Sequence, residues 1–171
     1  MTSDDQWVLS DLQHAGERGW RAFSDRVMGG ISREQASVAL VDGQRCIRLQ
    51  GEVRLENNGG FIQIAHALRA PDGGPLDAGG YRGIRLVAWA HDEQEYLIHL
   101  RNRDTGMPWQ YYRAAFRAGP EWRTIDVPFT AFQPEQLRRP LDRSSLASLG
   151  IVAYGRRFHA DIAVARVAFY R

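Results

Sequence analysis

Ser37-Val38-Ala39-Leu40-Val41-Asp42-Gly43-Gln44-Arg45-Cys46-Ile47-Arg48-Leu49 decides the fold. Two short apolar runs, Ser37–Val41 and Cys46–Leu49, flank Asp42-Gly43. A tight hairpin turn needs positive φ at both central positions, and Asp and Gly accept it. Glu52–Leu55 prolongs the second arm across Gly51, where a bulge or bend is expected. The same grammar of short strand and turn continues outward. Trp7–Ser10 and Trp20–Phe23 precede the hairpin, and Phe61–Leu68 follows Gly59-Gly60. Ala70–Pro75 is a loop, and the charged tip His91–Glu95 joins Ile84–Ala90 to Tyr96–Arg103. Trp109–Arg117, Glu121–Pro128, Ile151–Tyr154 and Ile162–Tyr170 complete the set. Ile84–Ala90 is apolar on both faces, which predicts a central strand covered on both sides.

Helix signals are few. Gln133–Leu137 reads as one turn, and Asp142–Leu149 as a short helix with Asp142 as N-cap and Gly150 as its stop. Roughly ten closely spaced strands, with one or two short helices, predict an all-β two-sheet sandwich or jelly roll. No composition shift marks a linker, so the 171 residues read as one domain with its core over about 7–170.

The composition excludes several classes. Apolar residues are 44% and charged residues 25%, as in globular chains. No apolar run is long enough to span a bilayer. All 22 basic residues are arginine, which removes Schiff-base chemistry and the P-loop lysine, and points to GC-rich coding and a bacterial source. Those arginines are scattered among 20 acids, so no nucleic-acid partner is expected. The acidic start Met-Thr-Ser-Asp-Asp-Gln-Trp lacks both an apolar signal core and a presequence, so the expected location is cytoplasmic. Cys46 is alone, reads as a small buried hydrophobe, and excludes an internal disulfide.

No catalytic constellation is legible. His14, His66, His91, His99 and His159 form no metal-ligand spacing, and His66 and His99 read as hydrogen-bonded wall residues of strands. There is no Gly-x-Ser-x-Gly elbow, phosphate loop or dinucleotide fingerprint. No enzyme activity, no cofactor and no metal are therefore expected. Two segments stand out instead: Trp20 to Ser32, containing Asp25-Arg26-Val27-Met28-Gly29-Gly30, and Leu55 to Phe61, containing Asn57-Asn58-Gly59-Gly60. Each places polar side chains beside a double glycine, where another backbone or a ligand can approach closely. Two readings stand for them. Asp25, Asn57 and Asn58 bond local amides in tight connections, or the loops grip something. Asp25, Arg26, Asn57 and Asn58 are expected to lie together, with Asp25 and Arg26 forming a charge-assisted pair or one of them facing a partner.

These residues carry a resemblance. Ser24-Asp25-Arg26-Val27-Met28-Gly29-Gly30-Ile31-Ser32 resembles the signature of the CIA30 family, named for the complex I intermediate-associated protein of 30 kDa. Asn57–Phe61, Tyr81–Ile84, Trp122–Phe132 and Ser148–Ile151 match later family motifs in order, so the resemblance runs from about Trp7 to Phe169. It implies a galactose-binding-domain-like jelly-roll β-sandwich. It also implies similarity to chaperones that hold assembly intermediates of respiratory complex I.

Two functions follow. The first is a non-enzymatic binding protein for a protein partner, a respiratory-complex assembly intermediate, with Met28, Gly29, Gly30, Gly59 and Gly60 in the gripping loops. Trp109, Tyr111, Tyr112, Arg113, Tyr154 and Arg156 are its candidate hot spots. The second is a carbohydrate or small-ligand module with Asp25, Arg26, Asn58, Tyr96, Arg101 and Gln110 around an aromatic platform.

Overall fold

The computed structural model describes residues 5–13 and 19–171; His14 lies outside them. Among these residues twelve strands form: β1 Gln6–Asp11, β2 Trp20–Ser24, β3 Arg33–Val41, β4 Gln44–Val53, β5 Phe61–Ala67 and β6 Gly83–Ala90. β7 is Gln94–Asn102, β8 Tyr111–Ala118, β9 Arg123–Pro128, β10 Gln133–Glu135, β11 Leu146–Tyr154 and β12 Phe158–Tyr170. They make two six-stranded sheets. Sheet I runs β3-β4-β12-β6-β9, with β1 also on β12; sheet II runs β10-β8-β7-β11-β5-β2. All pairings are antiparallel. The hairpin at Asp42-Gly43 forms as expected, with φ of 46° and 80°, and β3 and β4 pair from Val41↔Gln44 to Arg33↔Glu52.

Strand alternation explains the core. Ile84, Leu86 and Ala88 of β6 face Tyr96, Ile98 and Leu100 of β7 and Ile62 and Ile64 of β5 across one apolar layer. Tyr96, Tyr112, Phe169, Leu49 and Leu146 are among its fully buried members. A register shift between Val164 and Arg166 lets β12 keep Ile162 and Val164, then Val167 and Phe169, turned inward. Successive strands β6 and β7 belong to different sheets, so the His91 turn carries the chain over the edge of the sandwich.

The other face of β6 is covered at its Trp89 end, while Arg85 and Val87 stay partly exposed. Trp89 packs with Val41, Cys46, Ala163 and Ala165 under Trp122, whose indole N–H donates to the Val41 carbonyl at 3.0 Å. Cys46 is fully buried there, and burial pushes its thiol up to about 11, so it is the inert hydrophobe its sequence context suggests. Beside it Arg48 donates two hydrogen bonds to Asp161, at 2.8 and 2.7 Å.

Three local expectations are corrected. Gln133–Leu137 is not a helical turn: Gln133–Glu135 pairs with Tyr111–Arg113 as an edge strand, where Pro134 is tolerated. Asp142 does cap, accepting from the Ser144 N–H at 3.0 Å, but the turn lasts only from Arg143 to Ser145. Leu146 onward is then drawn into β11, because β5 and β7 both need its backbone groups. β4 passes Gly51 in unbroken register, with Gly51 opposite Glu34, and ends at Val53, so of the expected bulge or bend the bulge is not formed. Among the described residues no helix is long and apolar enough to cross a membrane.

Candidate functional site

The two double-glycine loops meet around one carboxylate. β2 ends at Ser24, whose hydroxyl accepts from the Arg26 N–H at 3.2 Å and so caps the short turn Asp25–Met28. That turn closes on Gly29 at φ 90°, with the Gly30 N–H donating to the Asp25 carbonyl at 2.9 Å. The Asp25 side chain points inward and is 0% exposed. One oxygen accepts from the Ser32 N–H at 2.9 Å. The other accepts from the Ser32 hydroxyl and the Gly60 N–H, both at 2.5 Å, and from the Phe61 N–H at 3.3 Å. Asp25 thus ties β2, the start of β3 and the start of β5 into one unit.

The glycines make room for it. A Cβ on Gly30 would lie 2.5 Å from the Asp25 Cγ, and one on Gly59 would collide with the same carboxylate. The Ser32 hydroxyl also accepts from the Arg54 N–H at 2.7 Å, and the Asn57 amide donates to the Gly29 carbonyl at 3.2 Å. Gly155, in the turn between β11 and β12, donates to the Gly60 carbonyl at 2.8 Å. Burial pushes the Asp25 carboxyl up, but the hydrogen bonds from Ser32, Gly60 and Phe61 outweigh it and hold the carboxyl below its ordinary 3.8.

A saturated, buried carboxylate is a fastener, not a base or a ligand contact. Asp25 does not pair with Arg26, whose guanidinium instead reaches Glu34 on β3 at 2.6 Å. The loops it fastens expose apolar side chains. Val27 is 70% exposed, Met28 63%, and Ile31 and Leu55 on the same two segments are exposed too. Arg26, Arg54 and Arg157 fringe the patch, the last two sharing Glu56 at 2.8 Å each. The Asn58 side chain lies outside the described residues.

A second feature lies on the outer face of sheet II. Inward positions of β7, β8 and β5 go to the core, so Leu97, His99 and Arg101, Tyr111 and Arg113, and Phe61, Gln63 and Ala65 face outward. Phe23 meets Phe61 edge-on with centroids 6.1 Å apart, and Phe61 is paired with Tyr154 across β5 and β11. Tyr154 stands 6.4 Å from His99, and Tyr111 lies flat on the His99 ring at 3.9 Å. The result is an aromatic band running diagonally across the sheet. His99 is 8% exposed, and among the described residues its Nε2 is buried without a partner, so the hydrogen-bonded wall residue expected there lacks a bond at Nε2. His66 does bond, Nδ1 to the Ala67 carbonyl at 2.7 Å.

The other anticipated site residues are dispersed. Tyr96 is 1% exposed in the core, where its hydroxyl accepts from the Asp161 N–H at 3.2 Å, and Tyr112 is likewise fully buried. Neither can line a platform. Arg101 sits opposite Ser148 while the clasped loops adjoin Tyr154, six residues along β11, or roughly 20 Å. Arg101 ties down its own loop by donating to the Thr105, Met107 and Pro108 carbonyls. Gln110 is held there too, bonding the Met107 N–H and the Gln136 carbonyl. The platform of Asp25, Arg26, Tyr96, Arg101 and Gln110 is therefore not assembled. Trp109, 59% exposed, is at that far end, and Arg156 lies 3.9 Å over Phe158.

Sequence reasoning missed Ser32 as the second half of the clasp and the His99–Tyr111–Tyr154 cluster. The alternation Leu97, His99, Arg101 was the available signal for the latter.

Solved structures share the architecture. A family 11 carbohydrate-binding module from Clostridium thermocellum, in complex with a β-1,3-1,4-mixed-linked tetrasaccharide, matches 96% of this chain and 95% of its own. Its TM-score is 0.75 at 14% identity. A family 30 carbohydrate-binding module matches 97% and 99% at TM-score 0.66 and 11% identity. The agarase AgWH50C matches 97% of this chain over 24% of its own, at TM-score 0.67 and 8% identity. At these identities the likeness establishes the galactose-binding-like jelly-roll fold. Among curated proteins none matches. A family profile does, over residues 10–160, spanning both glycine loops and nearly every strand; the chain belongs to the complex I intermediate-associated protein 30 (CIA30) family.

Proposed function

We propose that the chain is a non-enzymatic binding protein that holds a protein partner, an assembly intermediate of a respiratory complex, at its clasped loop end. One observation carries the reading: Val27, Met28, Ile31 and Leu55 are exposed on loops that a buried carboxylate holds rigid. Exposed apolar side chains on a fixed backbone bind with little ordering cost. Three arginines against Glu34 and Glu56 leave one positive charge in excess at the fringe, which suits a partner with an apolar centre and a weakly acidic rim. Family membership supports the same reading. The test is co-elution of the purified chain with detergent-solubilised membrane-arm intermediates of complex I. Wild type is expected to co-elute, and Val27→Asp/Met28→Asp to be lost from the peak while melting normally. Equal co-elution of both, or of neither, overturns it.

A second reading, a carbohydrate-binding module, is favoured by the aromatic band on sheet II together with the carbohydrate-binding neighbours. Retention on a neutral-glycan array tests it.

A further inference from the structure

We propose that His99, Tyr111 and Tyr154 form the contact point for a neutral pyranose unit of an extended glycan, with Tyr111 as a movable cover over the His99 imidazole. The inference rests on the carbohydrate reading and deepens it by assigning residues and ligand class.

The starting point is an unanswered polar atom. A buried nitrogen without a partner costs free energy, and native structures rarely leave one without a reason. His99 Nε2 is such an atom, and it lies on the outer face of sheet II, not in the core. Burial, with Arg113 and Arg101 close by, depresses the imidazole to about 3. The ring is therefore neutral and suited to a hydroxyl, with which either tautomer can bond.

The surroundings fit a sugar. Tyr111 covers one imidazole face, and Tyr154 stands edge-on beside it. Tyr111 also meets the Tyr154 hydroxyl, so a pyranose whose hydroxyl reaches Nε2 has to displace Tyr111 from His99 and from Tyr154 together. Next to His99 the sheet surface drops to Gly150 and then Ala65, which are successive cross-strand partners. A Cβ on Gly150 would fall 2.5 Å from the Gln63 amide oxygen, the far end of a flexible side chain, so a polar group lies over this glycine within reach of a sugar hydroxyl. Along the band, Tyr154, Phe61 and Phe23 continue the aromatic surface for further units.

Charge favours a neutral ligand. Arg113 is paired with Glu135 at 3.0 Å, Arg101 is engaged by three loop carbonyls, and Arg21 lies over Phe23 at 5.3 Å. The cations around the furrow are thus occupied.

The experiment titrates the full chain with the β-1,3-1,4-mixed-linked tetrasaccharide, cellotetraose and agarotetraose by calorimetry, and follows the His99 ring nitrogens by ¹⁵N NMR. At least one glycan should bind and shift the Nε2 resonance. His99→Ala and Tyr154→Ala should each weaken that binding by about tenfold or more, a loss of about 1.4 kcal/mol. Leu40→Asp, on exposed β3 of the other sheet, should leave it unchanged. Should His99→Ala fail to fold, the wild-type Nε2 shift and Tyr154→Ala decide. Binding with a silent Nε2 and unaffected variants overturns this assignment and leaves the carbohydrate reading standing. Absence of binding by all three glycans overturns both.

Discussion

The clasped loop end and the outer face of sheet II solve opposite problems. At the clasp, a charged group is buried, every donor it needs is supplied, and apolar side chains are left in water. On the sheet, aromatic side chains shelter one another, and a polar nitrogen is left unanswered beneath them. The first arrangement presents a surface that is already in its final shape. The second leaves one buried polar atom unmatched. Satisfied and unsatisfied polar groups are thus placed in different parts of one sandwich.

The largest expected effect comes from breaking the clasp. Asp25→Ala leaves the Ser32, Gly60 and Phe61 N–H groups without their acceptor and opens a void, and should destabilise by about 3–5 kcal/mol, read from the urea midpoint. A loss under about 1 kcal/mol would show that the loops hold together without it. Gly30→Ala should cost about 1–3 kcal/mol, because the new methyl group meets the Asp25 carboxylate.

The acid response sharpens the comparison further. Folding lowers the Asp25 pKa below its ordinary 3.8, so on acidification the unfolded chain takes up this proton first. The clasp's contribution is whole at neutral pH and fades as pH falls through about 4 and below. Asp25→Asn should flatten the stability profile in that window relative to wild type, in parallel urea titrations. His99→Phe should have the smallest effect, within about 1 kcal/mol and on the stabilising side, since it removes an unpartnered nitrogen and keeps a ring against Tyr111. A large destabilisation would mean that Nε2 is already answered in solution.

What was legible in the sequence follows the range of the forces involved. The turn at Asp42-Gly43 is set by its own two residues, and it forms as read. The strands were legible through alternation, but alternation does not say which face is the core; Tyr96, Ile98 and Leu100 share a face, and that face is the interior. This is why Tyr96 was misplaced as a platform residue. Gln133–Glu135 is a strand only because Tyr111–Arg113 offers it an edge, which no local pattern reveals. The two double glycines announced a close approach, and their meeting is visible in the structure. The partner of Asp25 was not legible, because adjacency in sequence suggested Arg26, whereas the chain turns Asp25 inward to Ser32 and Gly60 and sends Arg26 along β3 to Glu34.

Native-state hydrogen exchange at the Ser32, Gly60 and Phe61 amides tests the central claim most directly. If Asp25 fastens the two loops, these three amides exchange slowly and with one common opening free energy in the wild type, and all three lose protection together in Asp25→Ala while the β7 and β11 amides stay protected. Rapid exchange at Gly60 in the wild type, or protection unchanged by the substitution, would contradict it.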